Sequence, residues 1–96
     1  MNNILDIQTV LSHHKQTLFN KYGLKFIAIF GSYTRGDYKK DSDIDILVDF
    51  NRPIGIEFID LANELEEILH QKVDLVSKDG VKPKYLTVIE NELIYV

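Results

Sequence analysis

Gly31 and Ser32 close a short apolar run, Phe26 to Phe30, and open a polar stretch. A strand that ends there and turns into a helix presents backbone N–H groups to an anion, and the glycine lets a ligand approach. After ten intervening residues come Asp43 and Asp45. Residues two apart on a strand project from one face, roughly 6 to 7 Å from each other. Two carboxylates so placed repel each other unless a cation lies between them, and hard oxygen ligands on a rigid edge suit Mg²⁺. Asp74 interrupts the apolar segment Val73 to Val76 and needs a partner of its own. If the three aspartates converge, they could hold two metal ions about 3.5 to 4 Å apart, the arrangement for in-line displacement at phosphorus. Arg35 lies one helical turn beyond Ser32, where its guanidinium could meet a phosphate or pair with Asp37 or Asp41.

Other motifs fail on inspection. Gly31 to Gly36 imitates the opening of a P-loop, but Asp37 and Tyr38 stand where Lys and Ser/Thr are required. The spacing of Asp41, Asp43, Asp45 and Asp49 mimics a calcium loop, yet Ile46 holds the obligatory glycine position. No Gly-x-Gly-x-x-Gly is present. His13 and His14 are neighbours on a helix, about 100° apart, and cannot face one metal. His14 reads as a core-edge residue, His70 as a complement to a helix dipole, and Asp49 as an exposed or supporting acid. Lys78, Lys82 and Lys84 read as solvated, and Tyr85 and Tyr95 as core-edge aromatics.

The elements that position these groups follow from periodicity. Ile4, Ile7, Leu11, His14, Leu18 and Tyr22 predict an amphipathic helix that stops at Gly23. Phe26 to Phe30 and Asp43 to Phe50 predict strands, the second with Ile44, Ile46 and Val48 on one face and Asp43, Asp45, Leu47 and Asp49 on the other. A short helix and a loop are expected between them. Phe58, Leu61, Ala62, Leu65, Ile68 and Leu69 predict a second long helix. Lys72 to Val76 reads as a strand, Pro83 as the first turn of a helix carrying Leu86, Ile89 and Leu93, and Leu93 to Val96 as a closing strand. The expected fold is α/β (α+β): a small mixed sheet of about four strands covered by helices, in one domain spanning residues 1–96.

The composition narrows the function. Ninety-six residues, 45% of them hydrophobic, suffice for one core. Cysteine is absent, so disulfides, thiolate metal sites and thiol catalysis are excluded. Eleven Lys and Arg against fifteen Asp and Glu give a net charge of −4, which disfavours direct binding to nucleic acid. No apolar run approaches a membrane span and the first residues lack a signal pattern, so a cytoplasmic protein is expected.

Taken together, Gly31-Ser32, Arg35-Gly36-Asp37, Asp43-Ile44-Asp45 and the strand acid Asp74 resemble the nucleotidyltransferase superfamily typified by DNA polymerase beta. Within it, the chain is similar to the minimal nucleotidyltransferases, or MNT proteins, that pair with HEPN-domain RNase toxins. The resemblance implies that Gly31 and Ser32 hold the triphosphate of ATP, that Asp43 and Asp45 ligate Mg²⁺, and that Asp74 ligates a second metal and helps deprotonate the acceptor. It further implies transfer of AMP to a hydroxyl, a tyrosine in the HEPN toxin, so that the protein serves as the antitoxin. Two other readings stay open: an antitoxin that only occupies its toxin, and a nucleotidyltransferase subunit acting on a small alcohol of aminoglycoside type.

Overall fold

The first helix begins at a side-chain cap. Asn3 Oδ1 accepts the Asp6 N–H at 3.0 Å, and α1 (Ile4–Tyr22) runs from there until Gly23 takes a left-handed conformation and its N–H closes on the Phe19 carbonyl at 2.9 Å. A computed structural model describes residues 3–96. The chain continues through β1 (Leu24–Phe30), α2 (Ser32–Arg35), β2 (Ile44–Phe50), α3 (Glu57–Leu69) and β3 (Val73–Ser77). A 3-10 turn at Lys78–Gly80, α4 (Pro83–Glu90) and β4 (Ile94–Tyr95) complete it.

The strands form one mixed sheet in the order β3-β2-β1-β4. β1 lies antiparallel to both β2 and β4, and β2 lies parallel to β3. Parallel neighbours need a crossover, and α3 supplies it. Period-two alternation then sorts the side chains. Ile27 and Ile29 of β1 and Ile44, Ile46 and Val48 of β2 are fully buried in one cluster with Ile7, Leu11 and Leu18 of α1 and Leu61, Leu65 and Leu69 of α3. The opposite face of β2 carries Asp45, Leu47 and Asp49, as the alternation predicts.

The two long helices are also joined by a polar bridge. Glu64 Oε1 accepts from the Tyr22 hydroxyl at 2.7 Å and from Lys21 Nζ at 2.9 Å. These bonds, first that from Lys21 and then that from Tyr22, hold the Glu64 carboxyl below its ordinary pKa. Tyr22 is only 3% exposed, so its hydroxyl has few alternatives to this partner. Replacing Tyr22 with Phe is expected to lower stability by about 1 to 2 kcal/mol in urea denaturation at neutral pH. A depressed acid stabilises the fold above its unfolded pKa and loses that contribution as pH falls through its folded pKa. The difference between wild type and variant should therefore narrow as pH falls below 4.5, the ordinary value of the carboxyl.

Several edges differ from expectation. β1 starts two residues early, at Leu24, and β3 is shifted one residue later than Lys72 to Val76. Leu93 lies beyond α4, not on its face. His14 is exposed, because α1 presents it towards a groove shared with Asp60, Glu64 and Glu67 and not towards the sheet. Tyr85 and Tyr95 are 54% and 59% exposed, since α4 buries no residue and β4 is two residues long. No described helix is long and apolar enough to cross a membrane.

Candidate active site

At Gly31 the backbone leaves β1 with φ 78° and ψ −149°, a conformation essentially confined to glycine. The residue before it, Phe30, is the register partner of Asp45 on β2. The consequence is close approach: a Cβ on Gly31 would overlap Asp45 Oδ2 and stand 2.9 Å from Asp45 Cγ. Glycine is therefore needed twice, once for the turn and once so that the carboxylate can sit against it. Ser32 opens α2, and no hydrogen bond engages its hydroxyl among the described residues.

On the other side of Asp45, β3 brings Asp74 directly alongside in the parallel ladder. Neighbouring strands lie about 4.8 Å apart, so the two carboxylates share one strip of surface. Asp43 sits just before β2 begins, exposed, two residues from Asp45. The three predicted acids thus meet at one end of the sheet next to Gly31. Burial, the charge of Asp74, a hydrogen bond with Asp74 and then the charge of Asp43 push the Asp45 carboxyl up to about 6, with Arg35 opposing them. An acid under that stress is relieved by a cation. Among the described residues, no three His, Cys, Asp or Glu side chains already stand in a geometry that would grip a metal ion unaided. That is compatible with Mg²⁺, which is commonly bound through one or two carboxylates together with substrate phosphates and water.

Arg35, at the end of α2, pairs with Asp37, one of the partners its position left open, and with Glu92, which the sequence did not point to. Its Nε donates to Asp37 Oδ2 at 3.2 Å, and its Nη1 donates to Glu92 Oε1 at 2.9 Å. Glu92 Oε2 accepts the Gly31 N–H at 3.1 Å. Glu92 was not distinguishable from other surface acids by spacing or pattern, and only the pairing of β4 with β1 brings it here.

The loop leading to Asp43 is held by residues whose types gave little warning. Tyr33 is buried and stacks on Tyr38, with ring centroids 4.4 Å apart. Gln71 Nε2 donates to the Tyr33 hydroxyl and to the Ser42 carbonyl, the latter at 3.2 Å. The Ser42 hydroxyl accepts the Lys39 N–H at 2.8 Å. Asp49, by contrast, is a structural acid: it is half-buried, accepts the Phe50 N–H and faces Lys25 at 3.9 Å. A groove of about 480 Å³ lined by Phe50, Arg52, Ile54 and Ser77 lies at the far ends of β2 and β3, away from the carboxylates. The stressed acid and the glycine turn meet at the opposite strand ends, beside Asp74.

Comparison with known proteins bears on this arrangement. The sequence profile described as "Nucleotidyltransferase domain" matches residues 11–96. This chain belongs to that family. A relative named protein adenylyltransferase MntA, from Thermococcus cleftensis, is 42% identical to this nucleotidyltransferase over 92 residues, covering 95% of this chain and 93% of the relative. A solved structure described as a minimal nucleotidyltransferase superposes with a TM-score of 0.78 at 29% identity, over 94% and 95% of the two chains. A toxin–antitoxin crystal structure with AMP-PNP superposes with a TM-score of 0.72 at 27% identity, covering 86% of this chain and 69% of the other. The nucleotidyltransferase is thus an enzyme of the expected superfamily, with the mixed four-stranded sheet of the minimal members.

Proposed function

We propose that this nucleotidyltransferase transfers AMP from ATP to a hydroxyl of a partner protein, a tyrosine of a HEPN RNase toxin, and is thereby the antitoxin of a cytoplasmic pair. The observation that carries the chemistry is the seating of Asp45 between Gly31 and Asp74, with Asp43 two residues away. The Gly31 and Ser32 turn and Arg35 would receive the phosphates. Asp43 and Asp45 would hold Mg²⁺, with Asp74 completing a second site, and the bound metal would neutralise charge developing on the phosphates. The donor set fits, since Asp45 is stressed by two neighbouring carboxylates and lacks a cation of its own beyond the influence of Arg35. Asp74, which like Asp43 is exposed, would accept the proton of an incoming hydroxyl. The hydroxyl oxygen bonds to the α-phosphorus as the bond to pyrophosphate breaks.

Asp43 and Asp74 are exposed, so an acceptor hydroxyl carried by a second protein can reach them. The relative named protein adenylyltransferase and the toxin–antitoxin neighbour support the same reading. Intact mass spectrometry of the toxin encoded beside this gene, after incubation with the protein, ATP and Mg²⁺, should show added adenylate mass. The Asp43→Ala, Asp45→Ala double variant should add none. If that variant still neutralises the toxin fully, occupancy and not transfer is the antitoxin mechanism.

A further inference from the structure

The clasp around Glu92 is chemically out of place in a site built for phosphates. One carboxylate oxygen takes the Gly31 N–H and the other takes the Arg35 guanidinium, each at ordinary hydrogen-bond length. These are two of the groups assigned to the nucleotide. A carboxylate there offers anionic oxygens to the same donors that a phosphate would use. We propose that Glu92 is an internal substitute for a substrate phosphate: it fills the Gly31 and Arg35 clasp in the free protein and must withdraw before the triphosphate of a nucleotide can seat. The inference rests on the reading of Gly31 and Arg35 as phosphate-binding.

The segment that carries Glu92 is suited to withdrawal. Glu92 lies in the turn between α4 and β4, with its N–H on the Ile89 carbonyl at 2.9 Å. α4 buries no residue, and β4 pairs with β1 through Ala28 with Tyr95 and Ile29 with Ile94 alone. Its further ties include the Val96 N–H on the Ile27 carbonyl at 2.9 Å, the edge-to-face contact of Tyr95 with Phe26, and the packing of half-buried Val96 against the core. Segments with few buried contacts open at low free energy. The Glu92 side chain is 22% exposed, so it can turn to water without crossing the core. Nucleotide seating is therefore coupled to displacement of the Glu92 turn, and the free protein exposes its phosphate clasp only when that turn moves.

The test measures binding of a non-hydrolysable ATP analogue with Mg²⁺, and separately of inorganic tripolyphosphate, to wild type, Glu92→Gln and Glu92→Ala. A competitor removed from the clasp should tighten both ligands by about three- to thirty-fold. The gain should vanish in an Arg35→Ala background, where the clasp is already broken. In wild type, hydrogen exchange at residues 91–96 should accelerate when the analogue binds, a measurement that needs no variant to fold. Unchanged or weaker binding by Glu92→Gln, with wild type binding normally, overturns the substitution and leaves the nucleotide site standing. Failure of wild type to bind either ligand overturns the phosphate assignment of Gly31 and Arg35 itself, and the inference with it.

Discussion

Asp45→Asn is expected to abolish nucleotidyl transfer, by at least about 10³-fold, while making the metal-free protein more stable. The two effects have one cause. The Asp45 carboxyl is raised from 3.8 to about 6 because burial and the charges of Asp74 and Asp43 oppose its ionised form. A raised acid binds its proton more tightly in the folded state than in the unfolded one. Folding stability consequently increases as pH falls from about 6 towards 3.8, and the ionised group destabilises the fold above that window. A shift of about two units corresponds to at most ~3 kcal/mol, and partial solvent access reduces it to about 1 to 2 kcal/mol. Urea denaturation in EDTA at pH 7.5 should show Asp45→Asn more stable than wild type by that amount, with the advantage shrinking towards pH 4. Added Mg²⁺ should stabilise wild type and leave the variant unmoved. A variant less stable than wild type without metal would sink this electrostatic account.

Gly31→Ala should be nearly as damaging, for steric and not electrostatic reasons. The φ of 78° with ψ of −149° is closed to a residue bearing Cβ, and that Cβ would collide with the Asp45 carboxylate. The fold must therefore move either the turn or the acid, and both belong to the proposed site. A loss on the order of 3 kcal/mol is expected, with a fall in Tm of roughly 15 °C for a chain of this size. At temperatures where the variant is folded, transfer should fall by about 10²-fold or more, since one site group is displaced. Gly36 provides the control. It also has positive φ, at 85°, but a Cβ there meets nothing within 4 Å. Gly36→Ala should cost only about 1 kcal/mol and leave transfer within a few-fold of wild type. Calorimetry and transfer assays on the pair show whether a left-handed glycine without the collision at Asp45 is dispensable.

What the sequence revealed, and what it withheld, divides along the range of the interactions. The α1 stop at Gly23, the α3 stripe and the two-faced strand carrying Asp43 and Asp45 are local patterns, and they reappear in the structure with small shifts at their ends. Asp74 was legible because an acid inside an apolar strand is costly and must have a reason. Glu92 carried no such mark. It lies on a turn among polar residues, and its contact with Gly31 joins positions 61 apart in the chain. Tyr33 carried no mark either, yet it is buried against Tyr38 and Gln71. Periodicity cannot assign a single aromatic in a four-residue helix. His14 shows the opposite failure, since it fits the apolar stripe of α1 and nevertheless faces solvent.

The pairing of Asp45 with Asp74 also bears on how β3 finds its place. A shift of β3 by one residue would turn Asp74 towards the helices and present Val73 and Leu75 to water. Asp74 would then be buried among leucines and isoleucines without a partner. Parallel strands formed through a helical crossover are open to such slips during folding. The aspartate proposed to serve transfer is therefore expected to penalise the wrong pairing more heavily than the right one, so its removal should yield chains that fold with less certainty about where β3 belongs.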